Sequence, residues 1–263
     1  FLIDDKDYVA RTSIVKSSKN INDQIKEIIE TLTINSQKSN YIRDGFKPII
    51  PKDTKVLDLK LDNEILTINF SKEFLNVSKE NEDKMIEALI YSLTEIKEIK
   101  KIKILVENNN FTTLPNSNKK LPEYLDKNYG INKIYSLDSL KETSKTTIYY
   151  LSKNKDYYYY VPVTKVSNEK LERVEIIIKE LKSTPIYHTN LISYLASSTS
   201  MTNYELLEST ISLSFNNYII ANLKDDAVLE EVKYSIALSL RDTYGINEVI
   251  FSIPDMENTR ISV

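Results

Sequence analysis

The feature that most constrains this chain is that it repeats itself. The stretch from Ser92-Leu93-Thr94-Glu95 to Ile102-Lys103-Ile104-Leu105-Val106 superposes on Ser239-Leu240-Arg241-Asp242 to Val249-Ile250-Phe251-Ser252-Ile253 at a constant shift of 147. Upstream, Leu66–Phe70 matches Ile211–Phe215 at a shift of 145, and Ile25, Ile28, Ile29 and Leu32 align with Val174, Ile177, Ile178 and Leu181 at 149. The shifts drift only where loops are expected. A fixed internal period means one supersecondary unit used twice, and 263 residues suffice for two domains of ordinary size. The expected division is a first domain over 1–114, a structured linker over 115–145 and a second domain over 146–263.

Each copy carries the same alternation of patterns. In the second, Thr147–Leu151 and Tyr157–Val166 are β-prone runs separated by Lys153-Asn154-Lys155-Asp156, which reads as a hairpin. A helix follows from about Asn168, its expected N-cap, with Leu171, Val174, Ile178 and Leu181 on one face and Pro185 beyond its end. Strands are expected at Tyr204–Leu207 and Thr210–Phe215, then a helix with Asp225 and Asp226 at its start. Val228, Val232, Ile236 and Leu240 stripe that helix, Gly245 stops it, and a strand closes the copy at Glu248–Ile253. The first copy has a shortened hairpin at Phe1–Ile3 and Tyr8–Val15, a helix from about Asn22 to Leu32, and strands at Val56–Leu59 and Ile65–Phe70. Its second helix runs from Glu80 to about Glu98, capped by Ser78 or Asn81 and striped by Met85, Ile86, Leu89, Leu93 and Ile96. The fold class is α+β, two tandem β-β-α-β-β-α-β units. In each, two helices pack on a three-stranded sheet and a β-hairpin is added. Apolar residues recur through the linker, from Leu121, Tyr124 and Leu125 to Ile134 and Tyr135, which suits a segment that clamps the units rather than a free tether.

Composition matters here for what it excludes. With no Cys and a single His, His188, the chain lacks the residues for a thiolate–imidazole zinc site, a Cys/His nucleophile pair or a disulfide framework. Three glycines, at 45, 130 and 245, rule out a dinucleotide fingerprint or a P-loop. Against 38 Asp+Glu, 35 Lys+Arg leave no cationic surplus for nucleic acid. No catalytic, cofactor-binding or metal-ligating residue is assigned. His188 reads as a surface histidine, and Asp4-Asp5-Lys6-Asp7 as a solvated turn rather than a cation site. Glu82/Asp83, Asp225/Asp226 and Glu230/Glu231 read as acids compensating helix dipoles. Ser193–Ser200 reads as a polar loop without a nucleophile elbow. The Lys97, Lys100, Lys101, Lys103 cluster reads as a solvated helix end and edge strand.

The run Tyr157-Tyr158-Tyr159-Tyr160-Val161-Pro162-Val163-Thr164-Lys165, the preceding Tyr149-Tyr150-Leu151 and the phrase Gly130-Ile131-Asn132-Lys133-Ile134-Tyr135 resemble the GerM family, tandem-domain sporulation and germination proteins of endospore-forming bacteria. Ile50-Pro51-Lys52-Asp53-Thr54-Lys55-Val56 is similar to that family's Leu-Pro-x-Gly-Thr-x-Val turn, with Asp53 where glycine is usual. In the second copy, Leu195-Ala196-Ser197-Ser198-Thr199 keeps only the threonine. The resemblance implies a fold like the ring-building motif of secretion rings and sporulation channels. It also implies a lipoprotein, held by an N-terminal lipid anchor in the space between mother cell and forespore, that stabilises a channel complex there. Its partners would be proteins of that channel or envelope complex.

The tyrosines define the candidate surface. The chain has 18 Tyr and no Trp, and Tyr157, Tyr158, Tyr159 and Tyr160 must alternate across a strand, two to each face. They are expected to build either an interdomain contact or a docking surface for another protein. A module that binds cell-wall glycan or peptide through the Tyr-rich hairpin is the alternative from another functional class. A monomer in solution is expected, because fusion to a second unit occupies the face through which a ring-building domain would assemble.

Overall fold

The computed structural model describes residues 1–14, 17–139, 141–155, 157–183, 190–220 and 227–263. The chain divides into two compact units, Phe1–Asn132 and Lys133–Val263, so the boundary falls inside the stretch expected as a linker. His188, Pro185, Asp225 and Asp226 lie outside the described residues.

In the first unit, strands β1 (Leu2–Asp4), β2 (Val9–Ala10) and β3 (Phe46–Lys47) form a small sheet in the order β2-β1-β3. Helix α1 (Ile21–Leu32) buries Ile25, Ile29 and Leu32 and is capped by Asn20, whose side chain accepts the N–H groups of Asn22 and Asp23. The main sheet runs β4 (Val56–Asp62), β5 (Ile65–Phe70), β6 (Lys101–Val106) and β7 (Asn109–Asn110). The three expected strands are therefore extended by a short fourth. β5 and β6 are parallel, joined through helix α2 (Glu82–Leu93), and Leu66, Ile68, Phe70, Ile102 and Ile104 turn to the buried face. Phe74 stacks on Phe70 at 4.4 Å and meets Phe111 edge-on at 5.5 Å, filling one end of this core.

The second unit repeats the plan with a longer hairpin. Strand β8 (Ile134–Ser136) pairs in parallel with β10 (Tyr157–Ser167), which pairs antiparallel with β9 (Ser144–Asn154) over the full 11 residues of each. Helices α3 (Arg173–Lys182) and α4 (Glu230–Tyr244) pack on one another and on β9, so the hairpin belongs to the core. The main sheet is β11 (Met201–Leu207), β12 (Thr210–Phe215), β13 (Glu248–Ser252) and β14 (Thr259–Ser262), again with parallel central strands. Gly245 ends α4 with φ 70°, its N–H bonded to Arg241 O at 2.8 Å. No helix among the described residues is long and apolar enough to cross a membrane.

Several expectations need correction, most of them at element ends. α3 starts at Arg173, not near Asn168, because Glu172 and Glu175 form a reciprocal capping box there. Leu171 thus lies before the helix, exposed, and Asn168 instead accepts the N–H groups of Asp138 and Ser139. α2 spans Glu82–Leu93 rather than reaching Glu98, and neither Ser78 nor Asn81 caps it through its side chain. Val228 precedes α4. Lys101 and Lys103 sit on β6, an interior strand rather than an edge. Asp4 is fully buried rather than solvated. Its carboxylate accepts the N–H groups of Lys6 at 2.9 Å and Tyr8 at 2.8 Å and so organises the β1–β2 turn.

Candidate interaction surface

The β9–β10 hairpin presents two different faces because side chains alternate along each strand. On one face lie Ile148, Tyr150, Tyr159, Val161, Val163 and Lys165, of which Tyr159 is 7% exposed and the others are equally or more deeply buried. The other holds Tyr149, Leu151, Lys153, Tyr158 and Tyr160. Of the four consecutive tyrosines only Tyr158 is exposed. Tyr157 and Tyr160 are half-buried. The expected division into an inner and an outer pair therefore resolves into one buried ring, two at the margin and one outside.

Tyr158 is held in place rather than free. Its hydroxyl oxygen accepts from the hydroxyl of Tyr194 at 2.8 Å, the two rings meet edge-on with centroids 5.9 Å apart, and Lys153 Nζ lies 5.5 Å from the centre of the Tyr158 ring. The hydrogen bond to Tyr158, with some burial, pushes the Tyr194 phenol up to about 12. Both rings remain about two-fifths exposed, Tyr158 at 40% and Tyr194 at 39%. Sequence reasoning missed Tyr194. It lies 36 residues from Tyr158, and the bridge between Leu151 and Ile192 brings its loop alongside β9.

Beneath this surface a buried polar network fixes the hairpin to the helices. Tyr149 donates its backbone N–H to Ser239 Oγ at 2.8 Å and its hydroxyl to Asp242 at 2.5 Å, both on α4. On the opposite face Lys165 pairs with Glu180 of α3 at 2.7 Å and with Glu169. Burial disfavours the Lys165 cation, but hydrogen bonds to Glu169 and Glu180 outweigh it and hold the ammonium above the ordinary lysine range. Burial, reinforced by the charge of Glu180, pushes the Tyr150 phenol far up, so it stays neutral.

The first unit uses the same bolt in reduced form. Ser92, which aligns with Ser239, accepts from the Phe1 backbone nitrogen at 2.7 Å. Carboxylates of α2 then bind the stretch after the sheet. Buried Glu82 accepts the N–H groups of Asn116 at 2.5 Å and Ser117 at 3.0 Å, and Glu87 accepts that of Asn132 at 2.9 Å. Burial alone would raise the Glu82 pKa, but the N–H donors of Asn116 and Ser117 prevail and hold it low. Asp53, where the resembled family has glycine, adopts φ 66° in the left-handed region. The threonines kept in both copies brace their turns: Thr54 Oγ1 donates to Pro51 O at 2.6 Å and buried Thr199 Oγ1 to Tyr218 O at 3.1 Å.

Chemically the surface offers aromatic faces, phenol hydroxyls and one ammonium. Among the described residues no group of three or more His, Asp or Glu side chains gathers to hold a metal ion. Ser193, in the polar loop, donates its hydroxyl to Leu181 O at 2.5 Å, which occupies it structurally.

Comparison with known proteins agrees with this architecture. Residues 1–112 match the family model Germane, described as sporulation and spore germination. The chain is 29% identical over 256 residues to the spore germination protein GerM of Bacillus subtilis, covering 95% of this chain and 69% of that protein. Its structure is similar to that of the tandem GerMN domains of the sporulation protein GerM from Bacillus subtilis, with a TM-score of 0.86 and 25% identity. That match covers 97% of this chain and 90% of the other.

Proposed function

We propose that this chain, which belongs with the tandem-GerMN sporulation proteins of the GerM kind, is a non-enzymatic scaffold of sporulation that acts through protein–protein contacts. The observation that carries the reading is the likeness to GerM over nearly the whole length, across both copies of the repeat. In this reading the protein is held by an N-terminal lipid anchor and faces the space between mother cell and forespore. There it stabilises an envelope-spanning channel complex. The Tyr157–Tyr160 hairpin, with Tyr158 and its partner Tyr194 outermost, supplies the contact surface, since tyrosine combines a large apolar face with a polar tip suited to interfaces.

The test is crosslinking and affinity capture of the tagged chain from sporulating cells. Channel or envelope proteins are expected with the natural chain and are reduced when Tyr158→Ala and Tyr194→Ala are combined. Capture of no envelope partner would count against the scaffold.

A second reading rests on one observation, the two exposed phenol rings braced by their own hydroxyls, which resemble a stacking platform for a sugar. In it the protein is a cell-wall glycan or peptide binding module. Saturable retention on purified peptidoglycan, lost on Tyr158→Ala, would favour this module, whereas the scaffold reading expects no such retention.

A further inference from the structure

The two main sheets end in edge strands that differ in how they are guarded. An edge presents unpaired N–H and C=O groups, and proteins discourage pairing there with charged side chains. β4 carries Asp58, Lys60 and Asp62 among its 7 residues. β11, Met-Thr-Asn-Tyr-Glu-Leu-Leu, carries Glu205 alone over the same length. Among the described residues β11 pairs only with β12, and the end of its edge is apolar and open, with Leu206 at 44% and Leu207 at 61% exposure.

We propose that β11 is an interaction edge whose occupant is β11 of a second copy of this chain, paired antiparallel so that the two main sheets of the second units become continuous. The inference goes beyond the scaffold reading and does not depend on it. It departs from the monomer expected from the sequence, because the open feature is a sheet edge rather than a domain face.

The side chains select the occupant and the register. With Tyr204 opposite its own counterpart, Glu205 faces Asn203 of the second copy and Leu206 faces Thr202, so no like charges meet. Shifting the axis to Glu205 would set two carboxylates against each other. In the favoured register Glu208, just beyond the strand, falls at the start of β11 of the second copy, past the irregularity between Met201 and Asn203. Ser200 and Met201 line a hollow of about 310 Å³ with Glu175, Ile178, Lys179 and Lys182. Lys179 is paired with Glu169 at 2.8 Å, whereas Lys182 has no ion-pair partner among the described residues. Glu208 supplies the missing acid, and the two-fold axis makes the contact twice.

Sedimentation equilibrium of the whole chain tests the proposal. A reversible dimer is expected, half-associated near about 0.1 mM, because a single ladder buries less than the ~1,200 Å² of standard interfaces. Leu207→Lys should weaken association at least about tenfold while leaving the circular dichroism spectrum unchanged, since the residue is exposed. Glu208→Lys and Lys182→Glu should each weaken it, and the double exchange should restore it to within about twofold. Leu57→Lys on β4 should have no effect. A monomer persisting to about 1 mM, a species larger than a dimer, or failure of the double exchange to restore association would overturn the proposal.

Discussion

The two units are the same fold stabilised from different directions. In the second, the hairpin is long and serves as the bolt: β9 and β10 pair over 11 residues, with Tyr149 tied to α4 and Lys165 tied to α3. In the first, β1 and β2 pair at only two positions, and the fixing is done by α2 carboxylates that hold residues 116, 117 and 132. The difference teaches that a duplicated core tolerates exchange of its outer supports, provided each helix stays attached to something beyond its own sheet.

That comparison can be broken by mutation. The largest effect is expected at Lys165, whose side chain is 8% exposed. Lys165→Ala removes the buried cation from Glu180 and leaves Glu169 to Lys179, and should destabilise the second unit by about 3 kcal/mol. Ile14, which lies beyond the two-residue strand β2, is 41% exposed, and Ile14→Ala should change stability by less than about 0.5 kcal/mol. Urea unfolding of the two variants measures both.

Next come the first-turn acids, which sequence reasoning had assigned one role. Glu82→Ala removes the acceptor of two loop N–H groups and should cost about 2 kcal/mol. Glu230 is 65% exposed and, among the described residues, its ion pair is with neighbouring Lys233 in its helix, so Glu230→Ala should be close to neutral. Equal losses would mean that both acids act through the helix dipole after all.

The same site gives a pH prediction. Glu82 has a folded pKa held below its unfolded value, so its contribution is present above the unfolded pKa and is lost as pH falls through the folded one. Unfolding midpoints measured downward through the carboxylate range should fall less steeply for Glu82→Gln than for the natural chain.

The helix bolts themselves should be matched. Ser92→Ala and Ser239→Ala each remove the buried acceptor of a backbone nitrogen, at 2.7 and 2.8 Å, together with the hydroxyl's own bond to a backbone carbonyl, and should each cost about 1 kcal/mol. A large inequality would show that the equivalence of the two serines is geometric only. The smallest effect is at the surface pair. Tyr158→Phe should leave stability within about 0.5 kcal/mol but bring the Tyr194 ionisation down from about 12, followed by ultraviolet absorbance during alkaline titration.

Periodicity alone made much of this fold legible. The shifts of 145 to 149 located every helix and central strand, because burial of an apolar stripe demands the same spacing wherever the unit is used. Helix ends were less legible: α3 begins at the Glu172–Glu175 capping box, a reciprocal side-chain contact that competes with the plainer signal at Asn168. Of the candidate surface, the Tyr run itself could be read. Which ring is exposed could not, since that depends on what packs against each face.

By itself, then, the amino-acid sequence determined the tandem architecture, the alternation of strands and helices, and the chemistries the chain lacks, because these follow from local pattern and from which side chains are present. Only the tertiary structure decided that Tyr158 meets Tyr194, that Glu82 is a buried anchor while Glu230 is a solvated acid, and that β11 keeps an open edge where β4 is guarded. Those outcomes depend on residues distant in sequence being brought within a few ångströms, where burial and hydrogen bonding, not residue type, set what a side chain does.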